Sequence, residues 1–254
     1  MDRRVMTRPV ILVTGGSRGI GAATCRLAAA AGYDVAVNYA SNRDAADAVV
    51  SACQEAGASA LAVHALVESE SEVKAMFDEV ASGLGPIGCL VNNAGIVRDQ
   101  VRFDEMSVER WREMFDVNVI GSFICAREAV LRMSTRHGGA GGSIVNVSSA
   151  ASYLGSPGEY IDYAAAKAAI DTMTMGLGKE VAEEGIRVNA VRPGVVYTEI
   201  HANGGEPGRV DRVAAGVPMR RGGQPEEVAE TILWLASEAA SYITATTLNV
   251  SGGR

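Results

Sequence analysis

The chain has 254 residues, of which 48% are apolar and 21% charged, an ordinary globular balance that fits one large α/β domain or two small ones. A net charge of −7 argues against a nucleic-acid backbone as the main partner, and no apolar run approaches the ~20 residues of a membrane span. Cys25, Cys53, Cys89 and Cys125 form no CxxC pair and His64, His137 and His201 have no metal-ligand spacing, so no metal is expected and buried free thiols point to a reducing, cytoplasmic setting. Arg3, Arg4 and Arg8 precede an apolar run, Val10 to Val13, that is too short for a signal peptide.

Pro9 to Val13 reads as a short buried strand. Thr14-Gly15-Gly16-Ser17-Arg18-Gly19-Ile20-Gly21 follows and opens an Ala-rich helix that runs to about Ala31 and ends at Gly32. A glycine-rich turn from strand to helix lets backbone N–H groups approach a pyrophosphate, whose charge the helix N-terminus attracts. Asp34 to Tyr39 is the second strand. A carboxylate just after it would bind a ribose 2′-OH, whereas a cation there accepts a 2′-phosphate. The residues present are Tyr39-Ala40-Ser41-Asn42-Arg43, with no carboxylate, and Arg18 lies within reach in the glycine turn. This favours NADP, with NAD as the alternative; Arg43 reads equally well as a solvated residue opening the next helix.

That helix spans Arg43 to Ala56, and Ala60 to Ala65 is the third strand. Ser69 and Glu72 match a capping box for a helix ending near Gly83. Ile87 to Val91 is the fourth strand, running into the turn Asn92-Asn93-Ala94-Gly95, whose composition lets the chain pass close to a ligand. Ser107 to about Arg136 reads as one long helix. Asn118 in its middle is a poor helix former and needs a local reason, either a buried structural amide or a kink exposing a carbonyl near Lys167.

Ile144 to Val147 is a buried strand with Ser149 just past its carboxyl end, where open α/β sheets bind ligands. Tyr163-Ala164-Ala165-Ala166-Lys167 then sets a phenol and an ammonium on one helical face. A nearby lysine stabilises a phenolate, as acid–base chemistry at neutral pH requires. This helix is expected to stop at Gly185, followed by a strand from Arg187 to Val191. Pro193-Gly194 opens a Gly- and Pro-rich stretch of roughly thirty residues, 195–224, of the length of a lid or binding loop. Pro225-Glu226-Glu227 starts a last helix, and Leu248 to Val250 a last strand. Strands alternate with helices without a linker, so the expectation is one α/β domain over 1–254, a doubly wound parallel sheet of about seven strands with helices on both faces.

Taken together, TGGSRGIG (14–21), NNAG (92–95), Asn118, the serine of VSS (147–149), YAAAK (163–167) and PG (193–194) resemble the short-chain dehydrogenase/reductase family along the whole chain. Bacterial 3-oxoacyl-reductase-like and sugar-dehydrogenase-like members are the most similar in pattern. The resemblance implies a Rossmann fold, a homotetramer with contact faces near 107–136 and 160–184, and a catalytic tetrad of Asn118, Ser149, Tyr163 and Lys167. Tyr163 would exchange the proton with the substrate oxygen, Ser149 polarise the carbonyl, Lys167 bind the nicotinamide ribose, and Asn118 hold a water leading to Lys167. The cofactor would lie against Gly15, Ser17, Arg18, Gly19, Ile20, Gly21, Tyr39, Asn42, Arg43, Asn93, Ala94, Gly95, Tyr163, Lys167, Pro193, Gly194, Val196 and Thr198, with Thr198 at the carboxamide.

Three departures from the family pattern stand out. Leu66 occupies the place of an aspartate that reaches the adenine. The spacing from Ser149 to Tyr163 is one residue longer than the commonest, which leaves Ser148 as a rival for the serine role. Ala245 stands where glycine is usual, in a turn requiring positive φ. The reading is an NADP(H)-dependent oxidoreductase interconverting a secondary alcohol and a carbonyl. A sugar or polyol dehydrogenase working oxidatively and a cofactor-binding regulator without turnover are the alternatives. Tyr153, Glu159, Tyr160 and His201 are candidate pocket residues for a small-molecule substrate.

Overall fold

A computed structural model describes residues 8–254, with the side chains of His201 and Asn203 outside the description, as are Arg3 and Arg4. Seven strands form one wholly parallel sheet: β1 (Val10–Val13), β2 (Asp34–Tyr39), β3 (Ala60–His64), β4 (Ile87–Asn92), β5 (Gly142–Val147), β6 (Ile186–Pro193) and β7 (Thr247–Val250). Their spatial order is β3-β2-β1-β4-β5-β6-β7, so the order reverses beside β1. Crevices at such a reversal, outside the carboxyl ends of the strands, are where doubly wound sheets take ligands.

Both faces of the sheet are covered, which is why the strands read as continuous apolar runs rather than alternating ones. Ile11 and Val13 of β1 face α1 (Gly19–Ala30), α2 (Arg43–Glu55) and, later in the chain, the helix Pro225–Ala236, through Cys25, Ala28, Val49, Cys53, Val228 and Ile232. Val10 and Leu12 face the opposite way. They pack with α3 (Glu70–Leu84) and the helix Gly121–Met133 through Val73, Phe77, Cys125 and Met133. All four cysteines are buried and free within these layers. Burial pushes Cys25 up and brings Cys89 to about 11 and Cys125 to about 12.

Four stretches differ from expectation. Ser69 precedes α3 but its side chain does not cap it; Glu72 reaches past it to accept the Leu66 N–H at 2.9 Å. The expected long helix from 107 is divided into α4 (Val108–Phe115), a π-turn (Asp116–Ile120) and α5 (Gly121–Met133), with a 3₁₀ turn at Thr135–His137. After α6 (Ala151–Leu154), α7 (Ile161–Glu180) stops short of Gly185 and a 3₁₀ turn completes the connection. The 195–224 stretch is not structureless: it folds into α8 (Ile200–Asn203) and α9 (Arg209–Ala214) before α10 (Pro225–Ala236).

Ala245 has φ 59, as the turn requires. Its N–H donates to Val188 O at 2.7 Å, so the tertiary structure holds it there. A left-handed alanine costs about 1–2 kcal/mol, and glycine returns about 0.4–1 kcal/mol of that as extra freedom in the unfolded chain. Ala245→Gly should therefore raise the melting temperature by about 1–3 °C in a thermal scan; a lower Tm would show that this turn carries no strain.

Candidate active site

The carboxyl ends of β1 and β4 are bound together before any ligand is considered. Thr14 Oγ1 accepts the N–H groups of Asn93 and Ala94 at 3.0 and 3.1 Å. Asn93 Nδ2 donates back to Thr14 O and Gly15 O at 2.8 and 3.0 Å. A Cβ at Gly21 would lie 2.4 Å from Gly15 O and 2.5 Å from Asn93 Nδ2, so only glycine lets α1 start this close to the sheet. Gly15 has φ 60, and its N–H is held by Asn38 Oδ1 at 3.1 Å. Asn38 is buried at the end of β2 and also donates to Ala65 O. No side chain caps the first turn of α1 and no acid lies in it. Its positive end opens toward the cavity described next.

A cavity of about 710 Å³ runs along these strand ends. Gly15, Ser17, Arg18, Gly19, Ile20, Asn42, Asn93, Ala94, Gly95, Pro193, Gly194, Val196 and Thr198 line it, and so do Ser149, Tyr163 and Lys167. Four expected residues stand elsewhere. Tyr39 is buried edge-on against His64, and Arg43 pairs with Asp47 on the solvated face of α2 at 3.4 Å. Gly21 and Asn118 act from behind the wall. Leu66 does line the cavity, together with Val67 and Glu68. Among the earlier pocket candidates, Glu159 and Tyr160 line it, Tyr153 instead donates to Arg254 O at 2.6 Å, and the His201 side chain lies outside the description.

Burial pushes the Tyr163 phenol up to about 12, while a hydrogen bond with Ser149 works in the opposite sense. Lys167 is brought down to about 8 by burial, against the pull of Asp171. Its Nζ donates to Val147 O at 2.8 Å and lies 5.6 Å from the Tyr163 ring centre. Ser148 gives its hydroxyl to Lys167 O at 3.1 Å, which leaves Ser149 as the serine facing the phenol. The phenol is thus raised rather than lowered, because desolvation outweighs the opposing contacts.

The placement of α7 rests on polar groups that no local pattern announces. Asn92 Nδ2 donates to Asn146 Oδ1 at 3.0 Å and Asn146 Nδ2 to Thr174 Oγ1 at 2.9 Å, joining β4, β5 and α7. At the start of α7, Asp162 accepts the Tyr163 N–H at 2.9 Å and pairs with Arg110 of α4 at 2.7 Å. Asn118 sits in the π-turn, with its amide turned inward. Nδ2 donates to Met114 O and Ile96 O, and Oδ1 accepts the Ile96 N–H at 3.1 Å. A Cβ at Gly95 would lie 2.7 Å from Asn118 Oδ1 and 3.5 Å from Lys167 Nζ, so the amide, the turn and the lysine meet at one point. The buried-amide reading of Asn118 accounts for these contacts.

Glycines that admit close backbone approach, an uncapped helix start and an Arg18 that pairs with no acid among the described residues form a cradle of the shape and charge a dinucleotide phosphate needs. Comparison with known proteins agrees. Residues 15–254 match a family model described as enoyl-(acyl carrier protein) reductase. A relative from Escherichia coli, named uncharacterized oxidoreductase YgfF, is 55% identical over 96% of this chain and 99% of its own. A 3-oxoacyl-[acyl-carrier-protein] reductase from Synechocystis is 42% identical over 98% of this chain and 97% of its own. The crystal structure of a blue fluorescent protein from a metagenomic library, in complex with NADPH, is 31% identical with a TM-score of 0.88, covering 96% of this chain and 97% of that one. The chain belongs to the short-chain dehydrogenase/reductase family of NAD(P)-binding oxidoreductases. No helix among the described residues is long and apolar enough to cross a membrane.

Lys167 yields a prediction independent of catalysis. Its ordinary value is 10.5 and its folded value about 8, so charging it costs stability in full below about pH 8, and the cost fades as pH rises toward 10.5. Lys167→Met removes that cost but also the bond to Val147 O. A net gain of about 1–2 kcal/mol at pH 7 is expected from denaturant titration, shrinking toward pH 10. A variant less stable at pH 7 than at pH 10, relative to the parent, would contradict this.

Proposed function

We propose that this chain is an NADP(H)-dependent reductase of ketones, interconverting a carbonyl and a secondary alcohol. The observation that supports it most is that Ser149, Tyr163 and Lys167 line the same cavity as Gly19 and Ile20 at the uncapped start of α1. The bound cofactor supplies the hydride; the chain supplies position, polarisation and the proton. Ser149 donates a hydrogen bond to the substrate carbonyl oxygen, and Tyr163 gives the same oxygen its phenolic proton. A phenol near 12 stays protonated across the neutral range and is ready as an acid. The Lys167 ammonium, 5.6 Å from the ring centre, stabilises the phenolate left behind. Asn118 fixes the Ile96 backbone and with it the turn that carries Gly95.

The preference for NADP over NAD rests on Arg18. It lines the cavity and pairs with no acid among the described residues, and the segment after β2 offers Ala40, Ser41 and Asn42 rather than a carboxylate. Arg43, tied to Asp47, is the lesser contributor. Exposed Phe115, Ile120, Phe123 and Leu131 along α4–α5 and Met175 on α7 are the faces on which a homotetramer would assemble, in the cytoplasm.

Fluorescence titration with NADPH and NADH tests the cofactor assignment. Arg18→Ala should weaken NADPH at least about tenfold and NADH by no more than about twofold, with a smaller effect from Arg43→Ala. Tyr163→Phe should lower NADPH-dependent ketone reduction at least about a hundredfold while still binding cofactor. Equal affinity for the two cofactors would sink the NADP assignment. Binding without turnover of any carbonyl would favour a regulator.

A further inference from the structure

The 195–224 stretch and the segment before Tyr163 are joined by four charges. Arg209 of α9 is only 9% exposed. Its Nη1 and Nη2 each donate to one oxygen of Glu159 at 2.7 Å, the two-pronged fit of a guanidinium to a carboxylate. The guanidinium carbon lies 5.1 Å from the Tyr160 ring centre, and the Tyr160 ring stands edge-on to Tyr163 with centres 6.4 Å apart. Arg209 and Glu159 both line the cavity that holds Ser149 and Tyr163. The charge of Arg209 is felt at the Tyr163 phenol, where it opposes the upward push of burial.

Glu159 is not bound to Arg209 alone. Its Oε1 also accepts from Arg212 Nη2 at 3.2 Å, and Arg212 is half-exposed and bridged by Glu206. Glu159 therefore has a second cation waiting if it leaves the first. Two other cations that line the cavity are committed elsewhere, Lys167 to Val147 O and Arg98 to Glu113, with an Nε–Oε2 distance of 3.0 Å, and Arg18 lies in the glycine turn at the start of α1. A buried fork that can release its internal carboxylate is suited to receive another one of the same geometry. An apolar acyl chain placed there would instead face a charged wall, at a cost in desolvation without a compensating bond.

We propose that Arg209 is the receptor for a carboxylate on the substrate, with Glu159 occupying it in the empty enzyme and moving to Arg212 when substrate enters. The substrate class is then the short oxo acids, whose keto oxygen meets Ser149 and Tyr163 while the carboxylate takes the guanidinium. This inference rests on the reductase reading above, and Arg209 is a specificity-determining residue of it.

The test compares acetoacetate with methyl acetoacetate, and 4-oxopentanoate with its methyl ester, in NADPH-dependent reduction. The free acids should be preferred at least about tenfold in kcat/KM. Arg209→Met should lower the acid-to-ester ratio about tenfold or more, chiefly through KM. Glu159→Gln should raise the same ratio, because it removes the internal competitor, and Glu206, 3.9 Å from Arg209, still balances the charge. A clip that merely holds the loop would move the ratio in neither variant. Calorimetric titration of the protein with 4-oxopentanoate, with and without NADPH, covers the case in which no turnover is seen. Binding that is lost in Arg209→Met supports the proposal, and absence of binding overturns it. Turnover of esters as fast as acids overturns the carboxylate receptor and leaves the reductase reading intact. Failure to bind either cofactor sinks the reductase reading, while the acid titration of the protein alone still reads Arg209.

Discussion

The arrangement of the strand ends depends on one close approach. Asn93 Nδ2 reaches over the backbone of Thr14 and Gly15 in the space that a side chain on Gly21 would occupy. This brings β1, β4 and the first turn of α1 within hydrogen-bond distance of one another. Because the crevice lies where the strand order reverses, the same contact sets the width of the cradle and the direction of the α1 axis. Any Cβ there would have to push the helix outward, since the obstacles are backbone and an amide nitrogen with both its protons donated rather than the end of a flexible chain.

From that edge the site is held by partners drawn from distant parts of the chain. Tyr163 starts a helix whose first turn is fixed by Arg110 through Asp162, whose middle is fixed by Asn146 through Thr174, and whose Lys167 is fixed by β5. Burial raises the phenol and lowers the ammonium, so each group favours its neutral form more than it does in water. A free phenol and a free ammonium hold their protons almost equally, at 10.0 and 10.5, whereas here they stand at about 12 and about 8. Burial thus widens the energy gap that separates phenol plus amine from phenolate plus ammonium.

Much of this was legible in the sequence, and the physical reason is that a sheet covered on both faces writes its strands as uninterrupted apolar runs. Val10–Val13, Asp34–Tyr39 and Ile144–Val147 could be read directly, and so could the glycine turn and the Tyr163/Lys167 spacing, because each is local. The positive φ of Ala245 was legible as well, through the glycine the family keeps there. What escaped depends on contacts between residues far apart. Glu72 passes over Ser69 to serve Leu66, a choice a four-residue pattern does not encode. Asn38 looked like an ordinary strand residue, yet it holds Gly15. Arg43 and Tyr39, one residue to either side of the useful segment, turn away from the cavity because strand alternation and helix start leave them facing the core and the solvent. Arg209 lay in a stretch whose Gly and Pro content suggested only a loop, so its pairing with Glu159 had no local sign.

The π-turn at Asp116–Ile120 has a consequence for how the chain tolerates change. Such a turn is a helix carrying one surplus residue, confined to a single widened coil. Deleting one residue within it would return the hydrogen-bond ladder to its usual step and leave α4 and α5 with the same faces toward the sheet. The deletion would therefore spare the packing of Cys125, Ala129 and Met133, and what would vanish is the inward amide of Asn118 and its hold on Ile96. Here the chain retains a residue that the helix can do without, and the beneficiary of that surplus is the cavity wall beside Lys167.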